Sequence, residues 1–153
     1  MHVVVATDGS RQSLAAARHL RSFADPGALS AITVLAVVRP LAAVSFVNEL
    51  DPGPRESATR EVASFRDAAR AATEAVAAVF ADWGPEVSRR IRSGSPGAEI
   101  IRYAEEVDAG LVVVASGGRG LSDRVLLGST AQRVQQYAPC PVLVVRPQPR
   151  RKR

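Results

Sequence analysis

Apolar positions along the chain follow two periods, and the switches between them outline the elements. Runs at residues 2–7, 31–38, 111–115 and 142–146 are almost continuously Val, Leu, Ile or Ala, the pattern of strands buried on both faces of a parallel sheet. A fifth run, residues 86–92, sets Val87 and Ile91 among Ser88, Arg89 and Arg90 and reads as an edge strand. Between the runs, apolar residues recur every three or four positions. Leu14, Ala17, Leu20 and Phe23 or Ala24 mark a first helix after Ser10, stopped at Asp25-Pro26-Gly27. Val62, Phe65, Ala69, Ala72, Val76, Val79 and Trp83 mark a second over residues 55–82, and this stripe is expected to be core. Ser95-Pro96 opens a third, as a capping residue followed by proline at the first helical position, and Gly128-Ser129-Thr130 opens a fourth that stops before Pro139. The alternation predicts one doubly wound α/β domain over residues 1–147, with a right-handed parallel sheet covered by helices on both faces. A basic, disordered tail is expected at residues 148–153. Residues 39–54 carry three prolines with Leu41, Val44, Phe46 and Val47; this stretch is too long for an ordinary connection and reads as a lid or contact surface.

Composition narrows the function classes. No apolar run approaches the ~20 residues needed to span a bilayer, and the N-terminus opens directly into a strand-like run, so a cytoplasmic protein without membrane contact is expected. A single cysteine, Cys140, with His2 and His19 as the only imidazoles, gives no metal-binding spacing. The net charge is +5, but Arg150, Arg151, Lys152 and Arg153 supply four of those charges, which makes nucleic acid an unlikely partner. No Ser/His/Asp arrangement supports a hydrolase triad, and no catalytic residue is assigned.

In doubly wound sheets ligands sit beyond the carboxyl ends of the strands, where the strand order reverses. Two strand-end loops are therefore the candidate chemistry: Ala6-Thr7-Asp8-Gly9-Ser10 after the first strand, and Ser116-Gly117-Gly118-Arg119-Gly120 after the fourth. Glycines let a backbone approach an anion closely. The helix start at Gly128 offers free N–H groups and a positive dipole end, with the Ser129 and Thr130 hydroxyls as further donors to phosphate. The loop is neither a Walker A sequence nor the Gly-x-Gly-x-x-Gly dinucleotide turn. A plainer account stays open, in which the glycines make turns while Asp8, Ser129 and Thr130 only cap helices.

The opening Val3-Val4-Val5-Ala6-Thr7-Asp8-Gly9-Ser10, the Gly117-x-x-Gly120 turn, the Leu126-Leu127-Gly128-Ser129 step and the ending Ala138-Pro139-Cys140-Pro141-Val142-Leu143-Val144-Val145 together resemble the universal stress protein family, over nearly the whole chain. The resemblance implies a five-stranded sheet of order 3-2-1-4-5, with Asp8 and Gly117 converging on one crevice. It also implies binding of ATP, with Mg2+ as an accompanying ion: Asp8 at the ribose or phosphate, the backbone of Val37 at adenine, and Gly117, Gly120, Gly128 and Ser129 around the phosphates. Ala6, Thr7, Ser116, Arg119 and Thr130 complete the expected cofactor-binding set. Two departures bear on this. Seven residues, 121–127, separate Gly120 from Gly128 where the family's ATP-binding pattern has nine, so either the phosphate path is partly closed or Arg119 and Arg124 compensate. Ala36 stands where many relatives carry histidine.

Two functions follow. The first is a regulatory protein that holds ATP or another adenine nucleotide with little or no turnover, at most slow hydrolysis; Asp123 is a second acid near the loop, more simply an exposed turn residue. The alternative is a stress-related dimeric interaction module that does not bind nucleotide. Both include a homodimer through the last strand, Val142–Val145, otherwise an exposed apolar edge. A phosphoacceptor receiver domain fits poorly, since Asp8 has no neighbouring acid after the first strand.

Overall fold

The computed structural model describes residues 1–40, 55–117 and 126–148. The elements run β1 (His2–Thr7), α1 (Arg11–Phe23), a 3-10 turn at Pro26–Ala28, β2 (Ala31–Val38), α2 (Arg55–Ala78), β3 (Glu86–Ser93), α3 (Pro96–Glu106), β4 (Leu111–Ala115), α4 (Ser129–Tyr137) and β5 (Val142–Val145). All strand pairs are parallel, and the sheet order is β3-β2-β1-β4-β5, as the resemblance implied. The polar run became β3 and took an outer position, because a strand carrying Arg89 and Arg90 is cheapest to place where one edge and part of a face meet water.

Strand alternation divides the core in two. Val3, Val5, Ile32, Val34 and Val113 point to one face and pack with Ala16, Ala17 and Leu20 of α1 and with Val76 and Phe80 at the end of α2. Val4, Leu35, Val112 and Val114 point to the other, against Ile100, Tyr103 and Ala104 of α3 and Ala131 and Val134 of α4. Successive side chains on a strand point to opposite faces, so continuous apolar runs are required wherever helices cover both.

Two expectations need correction, and one alternative is decided. The second helix is not core along its whole apolar stripe: Val76 and Phe80 are buried, but Val62 and Phe65 are 43% and 49% exposed. Phe23 also stays in solvent, and Ala24 packs against the core in its place. Ser95 precedes α3 as expected, but its hydroxyl makes no capping hydrogen bond; its carbonyl accepts the Glu99 N–H at 2.9 Å. The expected lid over 39–54 lies outside the described residues from position 41 onward, as does the tail from position 149.

Among the described residues, no helix is long and apolar enough to cross a membrane.

Candidate functional site

The ladder between β1 and β4 ends at Val5↔Val113, although β1 runs on to Thr7 and β4 to Ala115. Toward β2, β1 stays paired up to Thr7↔Ala36, while β2 continues alongside β3 to Val38↔Ser93. Two consequences follow. A crevice opens between the ends of β1 and β4, where the strand order reverses. Val38 turns its carbonyl to β3, where it accepts the Gly94 N–H at 3.0 Å, so by alternation the carbonyl of Val37, past the last β1 pair, is turned toward the crevice.

A cavity of about 700 Å³ occupies this position, within the ~300–1,000 Å³ range of small-molecule sites. Its wall includes Ala6, Thr7, Asp8, Val37, Ser116, Gly117, Gly128, Ser129 and Thr130. Nine of the eleven sequence-predicted site residues are thus brought together, from β1, β2, β4 and α4. Arg119 and Gly120, with Arg124 and Asp123, lie outside the described residues.

Local hydrogen bonds explain how the first loop is held. Thr7 is buried, and its Oγ1 shares a 2.8 Å hydrogen bond with Ser13 Oγ while accepting the Gly9 N–H at 3.1 Å. Ser10, not Asp8, caps α1, accepting the Ser13 N–H. Asp8 shapes the preceding turn: its Oδ1 accepts the Ser10 N–H at 2.9 Å, and its side chain stays exposed at the cavity. Gly9 takes φ of +79°, a conformation that costs a residue with Cβ about 1 kcal/mol or more.

The second loop returns to the sheet through a 2.6 Å bond from the Gly128 N–H to the Ser116 carbonyl, which sets the start of α4 against the end of β4. Gly128 occupies the N-cap position and, as a glycine, brings no side chain to cap the helix. The first-turn N–H groups of Ser129, Thr130 and Ala131 therefore face the cavity without a capping side chain, a set of donors at the positive end of the helix that suits an anion.

Sequence reasoning missed two contributors. Arg39, just past β2, brings a cation to the cavity wall, and it fell in the stretch read as a lid or contact surface. Phe65, Ala68, Ala69 and Ala72 of α2 form another wall; their helical spacing was legible, but it does not say whether the stripe meets core or cavity. Cys140 lies elsewhere, packed on the α3/α4 side, and burial together with the nearby Asp108 carboxylate pushes its thiol pKa up. Among the described residues no group of three or more His, Cys, Asp or Glu could hold a metal ion.

Fold and cavity together define a doubly wound α/β protein with a strand-end crevice lined by backbone donors and a helix N-terminus. The sequence model described as the universal stress protein family matches residues 1–146, and the chain belongs to that family. It is 31% identical over 146 residues to a universal stress protein of Methanocaldococcus jannaschii, covering 94% of this chain and 81% of that one. Among solved structures it resembles the hypothetical protein MJ0577, with a TM-score of 0.79 at 23% identity over 96% of each chain. It also resembles a universal stress protein from Lactobacillus plantarum, with a TM-score of 0.65 at 29% identity over 95% of this chain and 97% of the other. Structures sharing the fold include a universal stress protein in complex with cAMP, one from Archaeoglobus fulgidus with dAMP and one from Arabidopsis thaliana with AMP bound.

Proposed function

We propose that this protein binds an adenine nucleotide in the crevice between β1, β2 and β4 and acts as a nucleotide-dependent regulatory protein. The observation that carries the reading is the uncapped first turn of α4, held against the end of β4 by the Gly128–Ser116 bond and facing a nucleotide-sized cavity. The base would lie toward the backbone carbonyl of Val37, and the phosphates toward Gly117, Gly128, Ser129 and Thr130. Nucleotide-bound relatives of the same fold support the ligand class. ATP is the preferred nucleotide in this reading, with Mg2+ carried on its phosphates; Asp8 is the carboxylate among the described wall residues.

The reading assigns holding, not chemistry. Phosphoryl transfer needs a metal-phosphate clamp and a group that orients a nucleophile, so slow hydrolysis at most is expected. The alternative, a dimeric interaction module without nucleotide, draws on the shorter loop between Gly120 and Gly128. Both readings include a homodimer joined through β5.

Calorimetric titration of nucleotide-stripped protein with ATP and magnesium tests the choice, alongside Gly128→Val. Gly128 has φ −59° and ψ 152°, which valine adopts without strain, so the variant is expected to fold. Its added methyls would crowd the phosphate approach and cut affinity by about tenfold or more, roughly 1.4 kcal/mol. Saturable binding lost in the variant supports the nucleotide reading; no binding by well-folded wild-type protein favours the interaction module.

A further inference from the structure

Phe65 is an exposed aromatic of α2 that stands in the cavity wall. Helix α2 spans 24 residues, about 36 Å at the α-helical rise, while the neighbouring strand β2 spans eight, about 26 Å. The helix returns antiparallel to β2, and its C-terminal end is anchored in the core by Val76 and Phe80, 2% and 1% exposed. The excess length must therefore project past the carboxyl ends of the strands, on the side of the crevice. There Phe65 lines the cavity while remaining half exposed.

The residues around it are small. Ala68, Ala69 and Ala72 stand three, four and seven positions on, so they share the face of Phe65 and line the same cavity. Ala36, Val37 and Val38 at the end of β2 line the same cavity. A large aromatic beside a row of methyl groups, in one cavity with the strand end where the Val37 carbonyl is turned to the crevice, makes a slot suited to a flat ring. One wall supplies an aromatic face and the other supplies hydrogen bonds to ring edges.

We propose that Phe65 is the residue on which the base of the bound nucleotide rests, and that the alanine row of α2 sets the thickness of the slot. This rests on the nucleotide reading above and adds a specificity-determining wall from an element outside the strand-end loops. The phosphates are held at α4, and the base is held at α2. Binding then covers an apolar surface that is otherwise in water, so ligand occupancy is coupled to the projecting end of α2.

The test uses the full chain, stripped of nucleotide, in titrations with AMP by calorimetry. Wild type is compared with Phe65→Ala, Phe65→Leu and Ala69→Leu, each checked by circular dichroism and thermal unfolding. Because Phe65 is half exposed and Ala69 only partly buried, all three are expected to remain folded. Phe65→Ala is expected to weaken AMP by about 5- to 150-fold, the range of base stacking on an aromatic side chain. Phe65→Leu should lose less, and Ala69→Leu should weaken binding by filling the slot. As a spectroscopic check, 2-aminopurine riboside monophosphate should be quenched on binding wild type and less so on binding Phe65→Leu. Wild-type binding that survives Phe65→Ala within twofold, or quenching unchanged in Phe65→Leu, overturns the assignment of Phe65 while leaving the nucleotide reading intact. Failure of wild type itself to bind AMP or ATP overturns the nucleotide reading, and this inference with it.

Discussion

Gly94 adopts φ of +147°, a region that side chains with Cβ rarely enter, and a Cβ built there would stand 2.8 Å from Glu99 Cγ. Glu99 is nearly buried and bridges two guanidinium groups, Arg92 Nε at 3.1 Å and Arg102 Nη1 at 2.8 Å. Arg92 also grips Glu106 through two hydrogen bonds of 2.8 and 2.9 Å and lies over the Tyr103 ring. Gly94→Ala would combine backbone strain with displacement of Glu99 from its cations. It is expected to cost about 1–3 kcal/mol, read as a lowered denaturant midpoint with an unchanged slope. A stability equal to wild type would show that the β3–α3 turn relaxes without disturbing the ion pairs. At this scale the sequence was partly legible. Asp8, Gly117 and Gly128 could be singled out because they follow strands, whereas Arg39 and Phe65 gave no local signal that they face a cavity. That depends on how far each element extends past its neighbours.

At the scale of elements, hydrophobic period placed the strands and the first two helices, and helix-start residues placed the other two, with ends shifted by a few positions at most. β3 runs to Ser93 where 92 was expected, and α2 gives way to turns after Ala78 where helix was expected to 82. The period could not say which part of α2 is core, since a helical stripe looks the same against a sheet or a cavity. β5 shows a related ambiguity. Leu143 and Val145 pack toward the α1/α2 side, and Val142 and Val144 toward the α3/α4 side, so neither set points away from the protein. The free edge is the backbone. Pro141 and Val145 direct their carbonyls to β4, accepting the N–H groups of Val112 and Ser116, so by alternation the N–H of Val144 points outward. Val144→Pro would remove that donor while sparing the ladder to β4. If the proposed dimer pairs two copies of β5, sedimentation velocity at fixed concentration should show a shift toward monomer. An unchanged dimer would move the interface elsewhere.

At the scale of the whole molecule, two groups among the described residues tie stability to acid. His2, in β1, shares a 2.8 Å hydrogen bond with Thr33 Oγ1, and burial, with a smaller contribution from the adjacent N-terminal ammonium, lowers its pKa. Its folded value lies below the unfolded one of about 6.5, so the unfolded chain takes up a proton first as pH falls. Stability is then full above that unfolded value and declines as pH drops toward the lowered folded value. Glu106, whose pKa is lowered chiefly by its hydrogen bond from Arg92, acts in a more acid window, and its stabilisation is lost as pH falls through its depressed folded value. Denaturant unfolding at pH 7.5 and 5.5 is expected to show a loss of stability that shrinks in His2→Gln. An equal loss in the variant would assign the effect to other groups.

The sequence by itself determined the alternation of strands and helices, the polar edge strand and the strand-end loops, because those depend on local period, turn residues and the requirement that a doubly covered strand be apolar throughout. Its resemblance to the universal stress protein family supplied the strand order, which the structure bears out. Only the tertiary structure decided that β1 and β4 part after Val5 and Val113, that the start of α4 is bonded to the end of β4 through Gly128 and Ser116, and that α2 overhangs the crevice with Phe65 in its wall. These are relations between elements distant in the chain, fixed by relative length and packing, and no window of sequence contains them.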